Sequence, residues 1–240
     1  MSRANDRKPN ELRPVILSPG FNKWAEGSCQ VEFGDTVVLC TASVEEFQPR
    51  FRRDTYLGWV TAEYAMLPRA TSERRGRTGP GSRPDSRGLE ISRLIGRSLR
   101  SVVDFAKLGP RTVTIDCDVM QADGGTRTAA ITGAWVALAE ACNWLLEQKA
   151  IKSNPLRDVV AAVSVGLVGN EALLDLDYAE DSRADVDFNV VMTGSNMLIE
   201  LQGTGEERPF SRNRLEEILD LAALGIDALT AEQKACLVAD

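Results

Sequence analysis

Apolar and polar positions alternate through residues 29–45, CQVEFGDTVVLCTASVE, in two β-prone runs around Gly34-Asp35. Alternate side chains of a strand face opposite sides, and Gly-Asp suits a tight turn, so the pattern predicts a hairpin. A further strand is expected over 57–66, LGWVTAEYAM. The period then becomes helical over about 87–107, where Ile91, Leu94, Ile95, Leu99, Val102, Val103 and Ala106 share one face and Gly109-Pro110 stops the run. Alternation returns over 112–121, with Val113, Ile115, Cys117 and Val119 inward and Thr114, Asp116 and Asp118 outward. Residues 128–148 are apolar nearly all round, which predicts a helix buried in protein or shared between subunits. Residues 157–178 read as a hairpin around Gly169-Asn170, and residues 186–203 as another around Gly194-Ser195-Asn196. A polar link over 181–185 joins them. A last helix is expected with Asn213 as its cap, Glu216 three residues on, and Leu215, Ile218, Leu219, Ala222 and Ile226 as its stripe. Between strand and first helix, residues 68–86 are rich in Pro, Gly, Ser and Arg, and they predict a long, mobile loop of a length that is usually either functional or disordered. The order of elements gives an α+β class, with mixed sheets packed against helices and two parts that read as related βαβα-type halves.

Length and charge narrow the function. A chain of 240 residues suits one large domain or two fused subdomains. The net charge of −7 argues against a uniformly basic nucleic-acid binder, yet the charge is uneven. Arginines from Arg50 to Arg100 crowd the first half, and acids dominate from Asp175 onward. A basic surface beside an acidic body suits a polyanion handled at one site, and a solvated, salt-bridged face is the alternative. Histidine is absent, which removes Ser-His-Asp and Cys-His nucleophile schemes and every His-metal site. The five cysteines form no CxxC pair, so buried free thiols are expected rather than a disulfide frame or a zinc site. No apolar run is expected to reach the roughly 18–20 residues of a membrane span. With a polar N-terminus, that leads to the expectation of a cytoplasmic chain with no membrane partner.

The most telling stretch is Gly124-Gly125-Thr126-Arg127, placed where a strand hands over to a helix. Two glycines let a backbone approach a ligand, the helix adds its positive end, Thr126 a hydroxyl and Arg127 a fork of donors. Together they make a cradle for one phosphate-sized anion. A Walker loop is absent, and a merely tight connection is the plain alternative.

Further runs carry a resemblance. VEFGDTVVLCTASVE, TAEYAMLPRAT, LEISRLIGRSLR, TIDCDVMQADGGTRTAAITGA, LDLDYAEDSRADVDFNVVMT and IELQGTGEERPF occur in this order. They resemble the bacterial RNase PH family of phosphate-dependent 3′-exoribonucleases over nearly the whole chain, more specifically than they resemble its exosome relatives. The resemblance implies one RNase PH domain over 1–240, with the RNase PH-like fold and 3′ trimming of tRNA precursors by inorganic phosphate. It implies a phosphate site of Arg87, Gly125, Thr126 and Arg127, an acidic pair Asp181 and Asp187, and RNA-binding arginines Arg69, Arg74 and Arg77. It also implies a homohexamer built as a trimer of dimers. Residues 78–86, TGPGSRPDS, and Gly88-Leu89 depart from the family pattern, whereas the spacing of forty residues from Arg87 to Arg127 keeps it.

Phosphorolysis brings two anions together, so cations and fixed dipoles are needed, and histidine is not, because phosphate arrives as an oxyanion. The pair Asp181 and Asp187 suits Mg²⁺ or Mn²⁺, or one of the two acts as a general acid toward the leaving 3′ oxygen. Asp185 is the main competitor for the second position, ahead of Asp175 and Asp177. Arg93 and Arg97 are expected in salt bridges, and the tryptophans in core or interface. Two other functions remain: a non-catalytic RNA-binding ring subunit of an exosome-like assembly, and a metal-dependent hydrolytic nuclease.

Overall fold

A computed structural model describes residues 3, 6–77, 85–206 and 208–238. The alternating runs of the first half become β1 (Val15–Pro19), β2 (Gly27–Phe33), β3 (Thr36–Glu45), β4 (Trp59–Met66) and β5 (Thr112–Gln121). They form one sheet in the order β1-β2-β3-β5-β4. Its neighbours are antiparallel except β4 and β5, which run parallel. A parallel pair needs a crossover, and α1 (Ser86–Arg100) supplies it. The inward residues Val113, Ile115, Cys117 and Val119 of β5 are all buried, as their alternation requires.

The second sheet contains β6 (Val160–Val168), β7 (Glu171–Leu174), β8 (Val186–Thr193) and β9 (Leu198–Gly205), in the order β7-β6-β8-β9 and antiparallel throughout. The helix α3 (Thr126–Glu147) packs on β2 and β3 of the first sheet and on β6 of the second. The helix α5 (Arg212–Val238) packs on β6 as well, so β6 is covered on both faces. That is why its sequence, VAAVSVGLV, does not alternate and is buried at eight successive positions. By length and composition α3 could cross a membrane, contrary to the expectation that no run is long enough. Here it is the helix shared by the two sheets, and most of it is buried.

Other boundaries differ from the expectation. The first helix ends at Arg100 instead of continuing to 107. Val102 and Val103 are buried beyond its end, Val103 bridging Leu156, while Ala106 is exposed. Asp104 then caps a separate short helix, α2 (Phe105–Leu108), accepting from Ala106 N and Lys107 N. Asn213 lies inside α5; Ser211 stands at its start, its hydroxyl accepting from Arg214 N at 3.4 Å. Neither β1, nor a 3-10 turn over Arg50–Arg52, nor the single turn α4 (Tyr178–Asp181) inside the polar link was anticipated. The cysteines are free thiols, four of them buried.

Gly133 shows how closely α3 lies on the first sheet. A Cβ there would stand 2.6 Å from Val31 Cγ1 and 3.0 Å from Cys40 Sγ. Gly→Ala in an open helix gains up to about 1 kcal/mol, but the branched Val31 has no room to yield. We expect Gly133→Ala to destabilise the fold by about 1–3 kcal/mol, the usual range for overpacking. Urea unfolding that shows a more stable variant would contradict this packing.

Candidate active site

The chain leaves β5 after Gln121 and turns through 122–125 into α3. Gly124 and Gly125 both have positive φ, +74° and +64°, where a side chain is strained. At Gly124 there is also no room for one. A Cβ would lie 2.7 Å from Leu176 O and 2.9 Å from Tyr178 N. The missing side chain therefore lets two backbone segments meet, the β5–α3 turn and the turn over 175–181. From the β3 side, Thr36 Oγ1 donates to Gly124 O at 2.6 Å and accepts from Asp123 N at 2.9 Å. Gly125 occupies the N-cap of α3 without a side chain to satisfy the helix, so the first amides remain for a ligand. Thr126 is buried, and Tyr64 of β4 donates its hydroxyl to Thr126 Oγ1 at 2.8 Å.

The facing wall is built by a capping box. Asp177 accepts from Glu180 N at 2.9 Å, and Glu180 accepts from Asp177 N at 3.1 Å. This turn ends at Asp181. Asp187 is the second residue of β8, opposite Gly166 of β6 and Thr204 of β9. Its Oδ1 is buried and has no hydrogen-bond partner among the described residues, and its Oδ2 accepts from Asn189 Nδ2 at 3.4 Å. Burial pushes the Asp187 carboxyl up to about 6, helped by the charge of Asp181 and opposed by Arg127. Burial raises Asp181 as well, against the pull of Arg87 and Arg127.

One cleft of about 420 Å³ brings together Arg87, Gly125, Thr126, Arg127, Asp181 and Asp187. Arg127 is partly engaged: Nη1 donates to Gln202 Oε1 at 2.8 Å and lies 3.6 Å from Glu90 Oε1. Arg87 is exposed and has no acid within ion-pair distance among the described residues. Arg69, Arg74 and Arg77 are exposed on the loop whose Thr71, Ser72 and Arg75 line the cleft; none of the three lines it. Residues 78–84, which hold most of the departing stretch, lie outside the described residues. Asp185 is engaged elsewhere, 2.8 Å from Arg208 Nη2. Asp175 and Asp177 serve ion pairs with the N-terminal arginines. Arg97 makes a two-pronged salt bridge to Glu200 at 2.6 and 2.7 Å, as expected.

Sequence reasoning missed several lining residues. Arg75 is the neighbour of a chosen arginine. Asn189 lies two residues after Asp187, so strand period places both on one face. Ser164 of β6 pairs with Asn189 of β8, and Glu206, whose charge raises both acids, lies within the run IELQGTGEERPF just after β9. Only the fold brings these together. Among the described residues no group of three or more His, Cys, Asp and Glu is arranged to hold a metal. Two carboxylates with an unsatisfied buried oxygen still fit Mg²⁺, which keeps several waters and takes one or two carboxylates beside substrate phosphates.

The description of the 3′ exoribonuclease family matches the chain in two parts, domain 1 over residues 11–142 and domain 2 over residues 158–224. Ribonuclease PH of Moorella thermoacetica is 57% identical over 237 residues, 99% of this chain and 95% of that protein. The crystal structure of rice (Oryza sativa) Rrp46 superposes with a TM-score of 0.79 at 20% identity, covering 98% of this chain and 100% of the other. The Archaeoglobus fulgidus exosome with RNA bound to its active site gives 0.79 at 24% identity, covering 96% and 92%. At such identity the two structures speak for the fold.

The raised Asp187 carboxyl has a consequence for stability. Its folded value of about 6 lies above the ordinary 3.8, so folding disfavours its charge above pH 6, and the cost vanishes as pH falls below both values. Asp187→Asn should therefore stabilise the fold at pH 7 by about 1–3 kcal/mol, up to two units at about 1.36 kcal/mol each. The gain should shrink on the way to pH 4. A variant less stable than wild type at pH 7 in urea unfolding would refute the buried, uncompensated carboxylate.

Proposed function

The chain belongs to the 3′ exoribonuclease family, and on that footing we propose that it is a phosphorolytic 3′-to-5′ exoribonuclease acting on tRNA precursors and other RNA 3′ ends. The observation that supports this most is that an anion cradle and a carboxylate pair face one cleft. Arg87, Arg127, the Thr126 hydroxyl and the first amides of α3 hold inorganic phosphate, with charge-assisted bonds that neutralise the nucleophile. Arg75, and from the flanking loop Arg69, Arg74 and Arg77, meet the RNA backbone. Alignment of the two anions supplies most of the acceleration, since the phosphate needs no general base. Asp181 and Asp187 hold Mg²⁺ or Mn²⁺, which would stabilise charge on the scissile phosphate and the leaving oxygen. Where no metal is held, the raised affinity of Asp187 for a proton would instead suit it to protonate the 3′ oxygen as it leaves. The phosphoryl bond is kept in a nucleoside diphosphate, so the reaction runs in both directions.

The likeness of the fold to exosome cores supports a ring, and we propose a hexamer of three dimers, which light scattering of the purified protein would measure. A ring subunit that only guides RNA has no need of the cradle or the acids, and this cleft retains both. A hydrolytic nuclease would give different products. The deciding experiment incubates the protein with a tRNA carrying extra 3′ nucleotides, with and without phosphate and Mg²⁺. Diphosphates that require phosphate are expected; monophosphates released without it would mean hydrolysis.

Variants assign the roles. Arg127→Ala should abolish phosphate-dependent turnover with little loss of fold, because this side chain lines the cleft and its partners are the neutral Gln202 and the half-exposed Glu90. Asp181→Asn and Asp187→Asn should each stop turnover while RNA binding is kept or tightened, since less negative charge meets the RNA. Asp185→Asn, paired with Arg208 outside the cleft, should cost far less. A dead Asp185→Asn beside an active Asp187→Asn would move the second carboxylate by two residues.

A further inference from the structure

The chemistry proposed above makes no use of a buried ion-pair cluster behind the cleft. Arg3, Arg7 and Arg13, from the segment before β1, meet Asp175, Asp177 and Glu180, and each of the six side chains is at most 9% exposed. Arg3 and Arg7 reach the acid turn and carbonyls of their own segment, with no hydrogen bond to the cradle among the described residues: Arg3 Nε lies 2.7 Å and Arg7 Nη2 3.3 Å from Glu180, and their Nη1 atoms donate to Lys8 O and Glu11 O. Arg13 reaches both walls. Its Nε and Nη2 donate to Asp175 Oδ2 and Oδ1 at 3.0 and 2.8 Å, and its backbone N to Asp175 Oδ2 at 2.8 Å. Its Nη1 donates to Asp123 O at 2.5 Å, and Nη2 lies 3.5 Å from Gly124 O. A Cβ on Gly125 would stand 3.1 Å from Nη2. One guanidinium thus lies under the cradle and grips the first residue of the turn that ends at Asp181.

Asp175 is itself pinned. It has φ +55°, its N donates to Ser164 O at 2.7 Å, and the next amide, Leu176 N, donates to Ser164 Oγ at 3.1 Å. Burying ion pairs contributes little net stability compared with apolar packing, while it fixes geometry closely, and a planar fork fixes it better than a point charge.

We propose that Arg13 is a positioning residue: by tying Asp123 and Gly124 to Asp175, it sets the separation between the phosphate cradle and the carboxylate wall. The proposal rests on the phosphorolytic reading of the cleft. Arg13→Lys tests it, because lysine keeps a positive charge beside Asp175 but cannot reach the cradle carbonyls and the carboxylate together.

Inorganic phosphate is titrated calorimetrically into wild type and Arg13→Lys without RNA, and steady-state constants are then measured. The Kd and the KM for phosphate should rise roughly tenfold, equivalent to about 1.4 kcal/mol, with kcat lowered and the KM for RNA within twofold of wild type. A merely structural role would lower the active fraction and leave both phosphate constants unchanged, and that result overturns the proposal. Asp175→Asn supplies a second line. If the two residues act as one clamp, the double variant should lose no more phosphate affinity than the worse single variant, and additive losses would count against it. A wild type that binds phosphate but does not phosphorolyse RNA would sink the proposed activity, whereas the phosphate titration would still decide the role of Arg13.

Discussion

Everything in the cleft depends on one backbone-to-backbone contact, that of Gly124 with residues 176–178. The phosphate cradle grows out of the first sheet and the carboxylates belong to the second, so neither sheet alone contains the site. They come into register because α3 is packed by both sheets and because Gly124 offers no Cβ to hold the turns apart. The helix fixes the layers to within its packing tolerance. The glycine contact, with Thr36 on one side and Arg13 beneath, fixes the last few tenths of an ångström. Reactions that depend on in-line alignment are sensitive on that scale.

Charge follows the same division. The cradle is cationic and the opposite wall anionic, so a phosphate and the hard cation suited to it are each met by the opposite sign. The wall is held in an unfavourable state: Asp187 is half-buried next to a second acid, and its buried Oδ1 lacks a partner among the described residues. An unsatisfied buried carboxylate lowers stability, and it is where a protein designed for stability alone would place an amide or an apolar residue. Beneath it, Asp175 and Glu180 are fully paired with arginines. Acids with structural work are satisfied, and the acids facing the cleft are not.

The hairpins were legible because their turns carry Gly34-Asp35, Gly169-Asn170 and Gly194-Ser195-Asn196 between alternating runs. β6 was legible as a strand although its buried faces erase alternation. The end of α1 was misjudged because Val102 and Val103 are buried at helical spacing while the backbone has already left the helix. β1, VILSP, is too short to show a period, and α4 is a single turn, although Asp177 and Glu180 have the spacing of a capping box. In the site, Gly-Gly-Thr-Arg could be read directly, since it needs only local chemistry, and the acid pair only through a family pattern. Arg13, Tyr64 and Ser164 could not be read. Nothing local in the sequence says that residue 13 meets residue 175, or that residue 64 meets residue 126. Those meetings are made by strand order.

The central claim is that inorganic phosphate held by the cradle is the nucleophile. Oxygen-18-labelled phosphate, incubated with a 3′-extended tRNA in ordinary water, tests it most directly. Each released nucleotide should be a diphosphate whose β-phosphoryl group derives from the labelled phosphate. Nucleoside monophosphates without label, taking their new oxygen from water, would contradict it.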